Sequence, residues 1–538
     1  MGESGVKGAK EKAPAGSSAV YVPAVDGMRG IGVLLVMGYH LGWTFLTAAW
    51  INISFFFIIS GVLVTRLTVR VLERKGRVDV PTFWSRRAAR LLPAAFVCTT
   101  GITVWLLLRR LGVLDDPFDE RELGYARGDL LCAVGYCENF HLISRGDDYF
   151  SQFQKPSPVR HFWSLAIEEQ YYVVWPVLFF LWTSILFPVM ISGDKQVEDP
   201  ERGAAPGANV NQGRLRFALS ALLFGELLVI TASYLSARIT YETVSPTAAY
   251  LSTWSRCQEF ALGGLAFLLF RLHPFWWPCL EGTPPRPLST AERCVLEFGP
   301  FFVLSCLFSS VLPFSFSGLM DYYFGWRKVV VFFTIGGSIV ATMVQSACKP
   351  IPSWAVFTRF LSFSPLVTAG IISYSAYLWH WPIIMWVKGV DTGNEFAVNV
   401  VDGADNELGG NNLQEERHQF FQTTSVIQDA LIITGTLSLS LASTYLMERP
   451  IQVYCSSQRP RNVILACAAA SVVLAVAILL VTMPQAEDDT KGDHNELAEL
   501  TGEVTGLKIA LDNMREDFEG RMALMRLRQD ALEQLIEH

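Results

Sequence analysis

The sequence is poor in charge. Of its 538 residues only 17% are Asp, Glu, Lys or Arg, where a soluble protein of this length carries about a quarter. That shortfall excludes a cytosolic enzyme and a disordered chain. The formal balance of −7 excludes a nucleic-acid binder that relies on bulk positive charge. Ten cysteines are too few for a disulfide scaffold, and nothing in the composition is collagen-like. No metal site is expected. A cleavable leader is not visible, because Met1–Gly16 is polar and the first apolar run is long and follows Arg29. Val6 stands where N-myristoylation would want Ser or Thr. No internal repeat of fixed period is present.

What the chain has is apolar length. Hydrophobic residues make up 51% and the mean hydropathy is +0.31. They fall in blocks of about 17–25 residues, the length that crosses a hydrocarbon layer of roughly 30 Å as a helix. Eleven such blocks are read: 31–50, 52–69, 92–110, 164–190, 215–235, 256–272, 296–313, 328–346, 365–388, 426–447 and 463–483. A further patch at Leu130–Ile143 is too short and interrupted to span. The expected fold is all-α, a polytopic transmembrane bundle of 10–11 spans. The expected divisions are a polar segment 1–24, a transmembrane domain 25–452, one more transmembrane helix 453–484 and a tail 485–538.

Basic residues orient the bundle. Arg70, Arg74, Lys75, Arg77, Arg86, Arg87 and Arg90 lie between the second and third blocks, and placing them in the cytoplasm takes Lys7, Lys10, Lys12 and Arg29 with them. The acidic stretch Asp391–Glu416 then falls outside, as does the C-terminus. Arg109, Arg110, Arg121 and Arg127 run against this assignment.

The tail is chemically distinct. Gln485–His538 holds 6 Lys/Arg against 14 Asp/Glu, a balance of −8, so the remainder of the chain stands at +1. Apolar residues fill ten of twelve successive a/d positions from Leu497 to Leu535, Arg521 and Arg528 being the exceptions. A coiled coil through which the chain self-associates, and a single amphipathic helix on the bundle or membrane, both satisfy this pattern.

Ionisable groups inside apolar blocks are costly and point to function. His40 lies near the middle of block 31–50, eleven residues after Arg29. Eleven steps are close to three helical turns, so both share one face, roughly 16 Å apart. A packing histidine and a catalytic one both fit, and Arg29 alone reads as a basic flank. Arg87 and Arg90, three apart at the mouth of the third block, suit a polyanion such as a phosphorylated cofactor, and equally anionic lipid or topology. His161 and Glu168 are seven apart on one face, and Glu168 lies deep enough in the fourth block to need a partner. Arg256 and Glu259 are spaced for an ion pair, and His380 sits between Trp379 and Trp381. Cys132 and Cys137 allow a local disulfide or two free thiols.

In order along the chain these residues resemble the acyltransferase-3 family of integral-membrane O-acyltransferases. Asp26-Gly27-Met28-Arg29-Gly30 with ten residues before His40 is similar to the family's Arg/Lys-x10-His. Phe55-Phe56-Phe57-Ile58-Ile59-Ser60-Gly61, Arg87-Ala88-Ala89-Arg90 and His161-Phe162-Trp163-Ser164-Leu165 with Glu168-Glu169-Gln170 match three further signatures. Arg256-Cys257-Gln258-Glu259, Ser373–Pro382 and Glu448-Arg449-Pro450 complete the set. The resemblance runs from about Val22 to Ile451. Long members resembling this chain continue into a hydrolase-like extracytoplasmic domain, where this sequence has the acidic tail.

The resemblance implies acyl transfer from acyl-CoA, most simply acetyl-CoA, to a hydroxyl of a glycan, lipid or other small acceptor, with no tightly bound cofactor. It implies a catalytic set of His40, Arg29 and Glu168, with His40 as general base and Glu168 orienting the imidazole or the acceptor, and Arg87, Arg90 and Arg86, joined by Arg29, on the coenzyme A phosphates. His161, Arg256, Glu259 and His380 would support substrate or structure. Nucleic acid is not an expected partner, and membrane lipids are. An acyl-His intermediate stays open, as do two other classes: a proton-coupled transporter using the same His and Glu groups, and a non-catalytic scaffold assembled through the tail.

Overall fold

A computed structural model describes residues 21–46, 48–75, 78–114, 120–146, 157–186, 212–273, 287–309, 323–347, 350–388 and 426–483. The heptad tail, the stretches 193–211 and 390–416, and the N-terminal lysines lie outside the described residues. Among the described residues there is no strand. In chain order the helices are α1 (Pro23–Leu41), α2 (Asn52–Lys75), α3 (Val80–Arg110), α4 (Glu120–Val134), α5 (Glu138–Ser144) and α6 (Phe162–Leu186). They continue with α7 (Gln212–Thr243), α8 (Pro246–Leu251), α9 (Thr253–Leu272), α10 (Thr290–Ser309), α11 (Trp326–Ala347) and α12 (Val356–Leu361). The last five are α13 (Ser364–Ile371), α14 (Ser373–Lys388), α15 (Val426–Ser443), α16 (Arg449–Ser456) and α17 (Pro460–Thr482). All belong to one compact unit that ends at Thr482.

Each of the eleven apolar blocks carries at least one of these helices, and the patch at Leu130–Ile143 holds the end of α4, a turn and most of α5. Among the described residues six helical stretches are long and apolar enough to cross a membrane, in α2, α3, α7, α11, α15 and α17, which makes this a multi-pass membrane protein. The polar openings of α6, with Glu168 and Glu169, and of α9, with Arg256 and Glu259, keep those helices below that mark. Their charges are the residues the site and core use.

Three boundaries differ from expectation, each for a local reason. Helix α1 occupies Pro23–Leu41 instead of 31–50, because Pro23 opens it and Gly42, at φ +84°, closes it in the left-handed region. His40 therefore stands in the last turn of α1, not near the middle of a span. Block 365–388 is broken at Ile372 into α13 and α14. Helix α15 passes into a π-helical segment, Thr444–Glu448, before α16. The basic loop after α2 is short, since Asp79 caps α3 through the Thr82 N–H (3.2 Å) and brings Arg86, Arg87 and Arg90 onto the helix itself.

Polar contacts sort to two ends of the bundle. At the arginine end, Arg271 pairs with Glu73 (2.6 Å), and the Tyr374 hydroxyl donates to the Leu91 carbonyl (2.8 Å). At the opposite end, the Trp43 indole donates to Asp429 (3.0 Å). There Arg110 donates to the Val481 carbonyl, and Arg127 to the Thr482 carbonyl and hydroxyl, the latter at 3.3 Å. These contacts account for two of the arginines that ran against the basic-side assignment. They bind the terminal carbonyls of α17, where the helix dipole is negative.

Small residues bring α2 and α9 together. A Cβ at Gly61 would stand 1.9 Å from the Phe260 carbonyl oxygen, and one at Gly263 would stand 2.2 Å from that of Ile58. Backbone on backbone leaves no side chain to swing aside. Gly263→Val is expected to cost about 3 kcal/mol, the upper part of the overpacking range. A lowered thermal midpoint of the purified protein in detergent would show it, and an unchanged midpoint would contradict the contact.

Candidate active site

A cavity of about 730 Å³, its open mouth included, lies among α1, α2, α3, α6 and α14. Arg29 comes from α1, and Arg87 and Arg90 from α3, one turn apart on the cavity face. Arg86, one step round the helix, is exposed and does not line the cavity. Arg29 reaches Asp26 at 3.5 Å, and the Arg87 guanidinium lies 4.3 Å from the ring centre of Tyr172. The stacked Arg87 has its planar fork held in place while its N–H groups face the space. Three cations converging on one cavity fit a polyphosphate donor.

Deeper in the cavity are Ser60, Glu168 and Tyr172. Glu168 accepts from the hydroxyls of Ser60 and Tyr172, and the two hydroxyls are 3.0 Å apart. Expectation has Glu168 orienting the imidazole or the acceptor. The structure gives it these two hydroxyl partners, and His40 faces another histidine. At the far wall Ser164 and Tyr377 share a 2.6 Å hydrogen bond between hydroxyl oxygens.

Behind that wall stand three histidines. His40 Nδ1 lies 2.8 Å from His380 Nε2, with ring centres 5.0 Å apart and planes at 24°. His161 stands edge-on to His380, centre to centre 5.4 Å. All three are buried, and none is among the cavity-lining residues. The Tyr377 ring touches both His161 (5.6 Å) and His380 (5.3 Å), so one side chain borders both the cavity and the cluster. Sequence spacing placed these histidines on three separate segments, and the fold makes them neighbours.

Pro382 explains part of this arrangement. It lies within α14 and has no N–H to donate four residues back, which frees the Leu378 carbonyl. That oxygen accepts from His161 Nε2 at 3.0 Å and from the Cys98 thiol at 3.4 Å. One residue earlier, the Tyr377 carbonyl takes His380 Nδ1 at 2.6 Å. The spacing of Tyr377, Leu378, His380 and Pro382 on one helix thus supplies two acceptors for two imidazoles.

The remaining motif residues build the frame. Arg256 and Glu259 form a fully buried ion pair at 3.0 Å, and Lys328, which sequence reading treated only as the first residue of a span, joins Glu259 at 3.0 Å. Tyr323 donates to the same carboxylate at 3.1 Å, and Arg256 sits over the Tyr250 ring at 4.5 Å. The signal for Lys328 was a lysine opening an apolar run; nothing local tied it to Glu259. Glu448 of Glu448-Arg449-Pro450 is buried and accepts from Ser375, Ser443 (3.2 Å) and Thr444 (3.1 Å), which anchors the start of α14. Cys132 and Cys137 are free thiols. Among the described residues no group of His, Cys, Asp and Glu is arranged to hold a metal ion.

The chain is 28% identical over 371 residues to the peptidoglycan O-acetyltransferase OatA of Listeria monocytogenes, covering 68% of this chain and 50% of that one. It is 30% identical over 383 residues to the O-acetyltransferase OatA of Staphylococcus aureus, covering 71% and 53%. The chain thus spans about half the length of these curated relatives. No solved structure matches it. The acyltransferase-domain profile of the acyltransferase-3 family matches residues 22–482, from the turn before α1 to the last residue of α17, and the chain belongs to that family.

Proposed function

We propose that this protein is a membrane O-acyltransferase that carries an acetyl group from acetyl-CoA at the cytoplasmic side to a hydroxyl of an extracytoplasmic glycan. The observation that carries the reading is the alignment of parts: three arginines at one end of the cavity and the His40–His380 pair beyond its far wall. Arg29, Arg87 and Arg90 hold the phosphates of coenzyme A, and the pantetheine arm enters the cavity. His40 is the general base. The acceptor O–H gives its proton to His40 Nε2 as its oxygen attacks the thioester carbonyl. The C–S bond then breaks, and the coenzyme A thiolate takes that proton back. The glycan acceptor is taken from the peptidoglycan that the Listeria relative is named for, and the acceptor lies on the far side if the arginine end is cytoplasmic. Self-association would fall to the tail.

The test is a transfer assay in proteoliposomes with labelled acetyl-CoA and a peptidoglycan-derived acceptor. Arg87→Ala with Arg90→Ala is expected to raise KM for acetyl-CoA about tenfold or more, since each charge-assisted contact contributes about 1.5–3 kcal/mol. Acetyl-CoA handled equally well by the double variant, or no transfer of label by the wild type, would remove the reading.

A further inference from the structure

We infer that His380 is a positioning residue that dictates which nitrogen of His40 carries the proton; the inference rests on the reading of His40 as base. The chain of contacts leaves one neutral arrangement. A backbone carbonyl only accepts, so the contact from His380 Nδ1 to the Tyr377 carbonyl (2.6 Å) puts the His380 proton on Nδ1. A neutral His380 then offers a lone pair at Nε2. His40 Nδ1 stands 2.8 Å from that atom, so His40 donates from Nδ1 and bears its own lone pair on Nε2. That is the nitrogen the acceptor hydroxyl must meet.

The same contact serves both halves of the reaction. When His40 Nε2 takes the hydroxyl proton, the Nδ1–H of the resulting imidazolium still points at the His380 lone pair. His380 so fills the orienting role that a carboxylate fills in a Ser-His-Asp triad, with a neutral ring relayed from a peptide carbonyl in its place. Ring orientation is held from several sides. Trp381 meets His40 edge-on at 5.2 Å, and His161 meets His380 at 5.4 Å while its own Nε2 is engaged by the Leu378 carbonyl. The groups facing His380 are rings and backbone carbonyls, and the Tyr377 oxygen at 2.6 Å accepts its Nδ1 proton.

The experiment compares His380→Leu and His380→Gln in the full chain, reconstituted and assayed with acetyl-CoA. Leu fills the space and accepts nothing, while the Gln side-chain carbonyl can stand about where Nε2 stood. His380→Leu is expected to lower kcat at least about 100-fold, as losing the correct tautomer does elsewhere, with KM for acetyl-CoA within threefold of wild type. His380→Gln is expected to recover kcat to within tenfold of wild type, which a packing role would not predict. Should the Leu variant fail to fold by thermal midpoint and elution, His380→Met takes its place. A kcat within threefold of wild type for the apolar variant overturns the inference, as does a folded Gln variant as slow as the apolar one. An inactive His40→Ala beside an active His380→Leu removes this inference alone, whereas an active His40→Ala removes the base reading beneath it.

Discussion

His40→Ala is expected to reduce kcat by about 10²–10⁴-fold, the range that a positioned general base contributes, while leaving a folded protein with unaltered KM for acetyl-CoA. The expectation follows from position. The arginines that would hold the donor are on other turns: Arg29 lies roughly 16 Å down the same helix, eleven residues at 1.5 Å rise, and Arg87 and Arg90 are on α3. Removing an imidazole at the last turn of α1 touches none of them. The ring's packing partners, Trp381, Tyr39 and His380, would close on a small gap rather than lose a buried charge. A measured split, kcat collapsed and KM held, separates a base from a donor-binding residue. Turnover of labelled acetyl-CoA by purified His40→Ala at the wild-type rate would end the assignment.

Glu259→Gln is expected to cost about 3–5 kcal/mol of stability, the effect of stripping one partner from a buried ion pair. Glu259 is, among the described residues, the carboxylate that joins Arg256 and Lys328, each 3.0 Å away, and all three side chains are 2% exposed or less. Gln removes the negative charge and leaves two cations facing each other out of water. The double variant Glu259→Gln with Lys328→Met should recover at least half of the loss, because it removes one of the stranded cations and fills its space with an apolar chain. Yield of monodisperse protein and thermal midpoint in detergent read both variants. A Glu259→Gln protein as stable as wild type would mean that the cluster is not the anchor between α9 and α11 that its geometry describes.

The architecture was largely legible because crossing a hydrocarbon layer demands about 20 apolar residues in succession, and such runs are visible without any knowledge of contacts. Every one of the eleven runs carries a helix. The misplaced ends arise where local chemistry overrides apolarity. Pro23 and Gly42 move α1 toward the N-terminus although Trp43–Trp50 is apolar, and Ile372 interrupts a run that reads as continuous. Spacing also placed Arg87 with Arg90 and Arg256 with Glu259, since residues three apart on a helix share a face. Arg86 was grouped with the first pair by adjacency, and one step of about 100° takes it off the cavity.

The sequence by itself determined the helices, the family and the short roster of ionisable residues worth attention. The helices and that roster follow from periodicity and composition, which are properties of neighbours along the chain, and the family from its motifs in order. Tertiary structure alone decided who meets whom: His40 with His380 across 340 positions, Glu168 with Ser60 and Tyr172, and Lys328 with Glu259. It also decided that Tyr377 borders both the cavity and the histidines. The reason is physical. A buried polar group must find its partner wherever the packing of helices puts one, and in this chain His380, Ser60 and Lys328 reach their partners from other helices, which no local pattern marks.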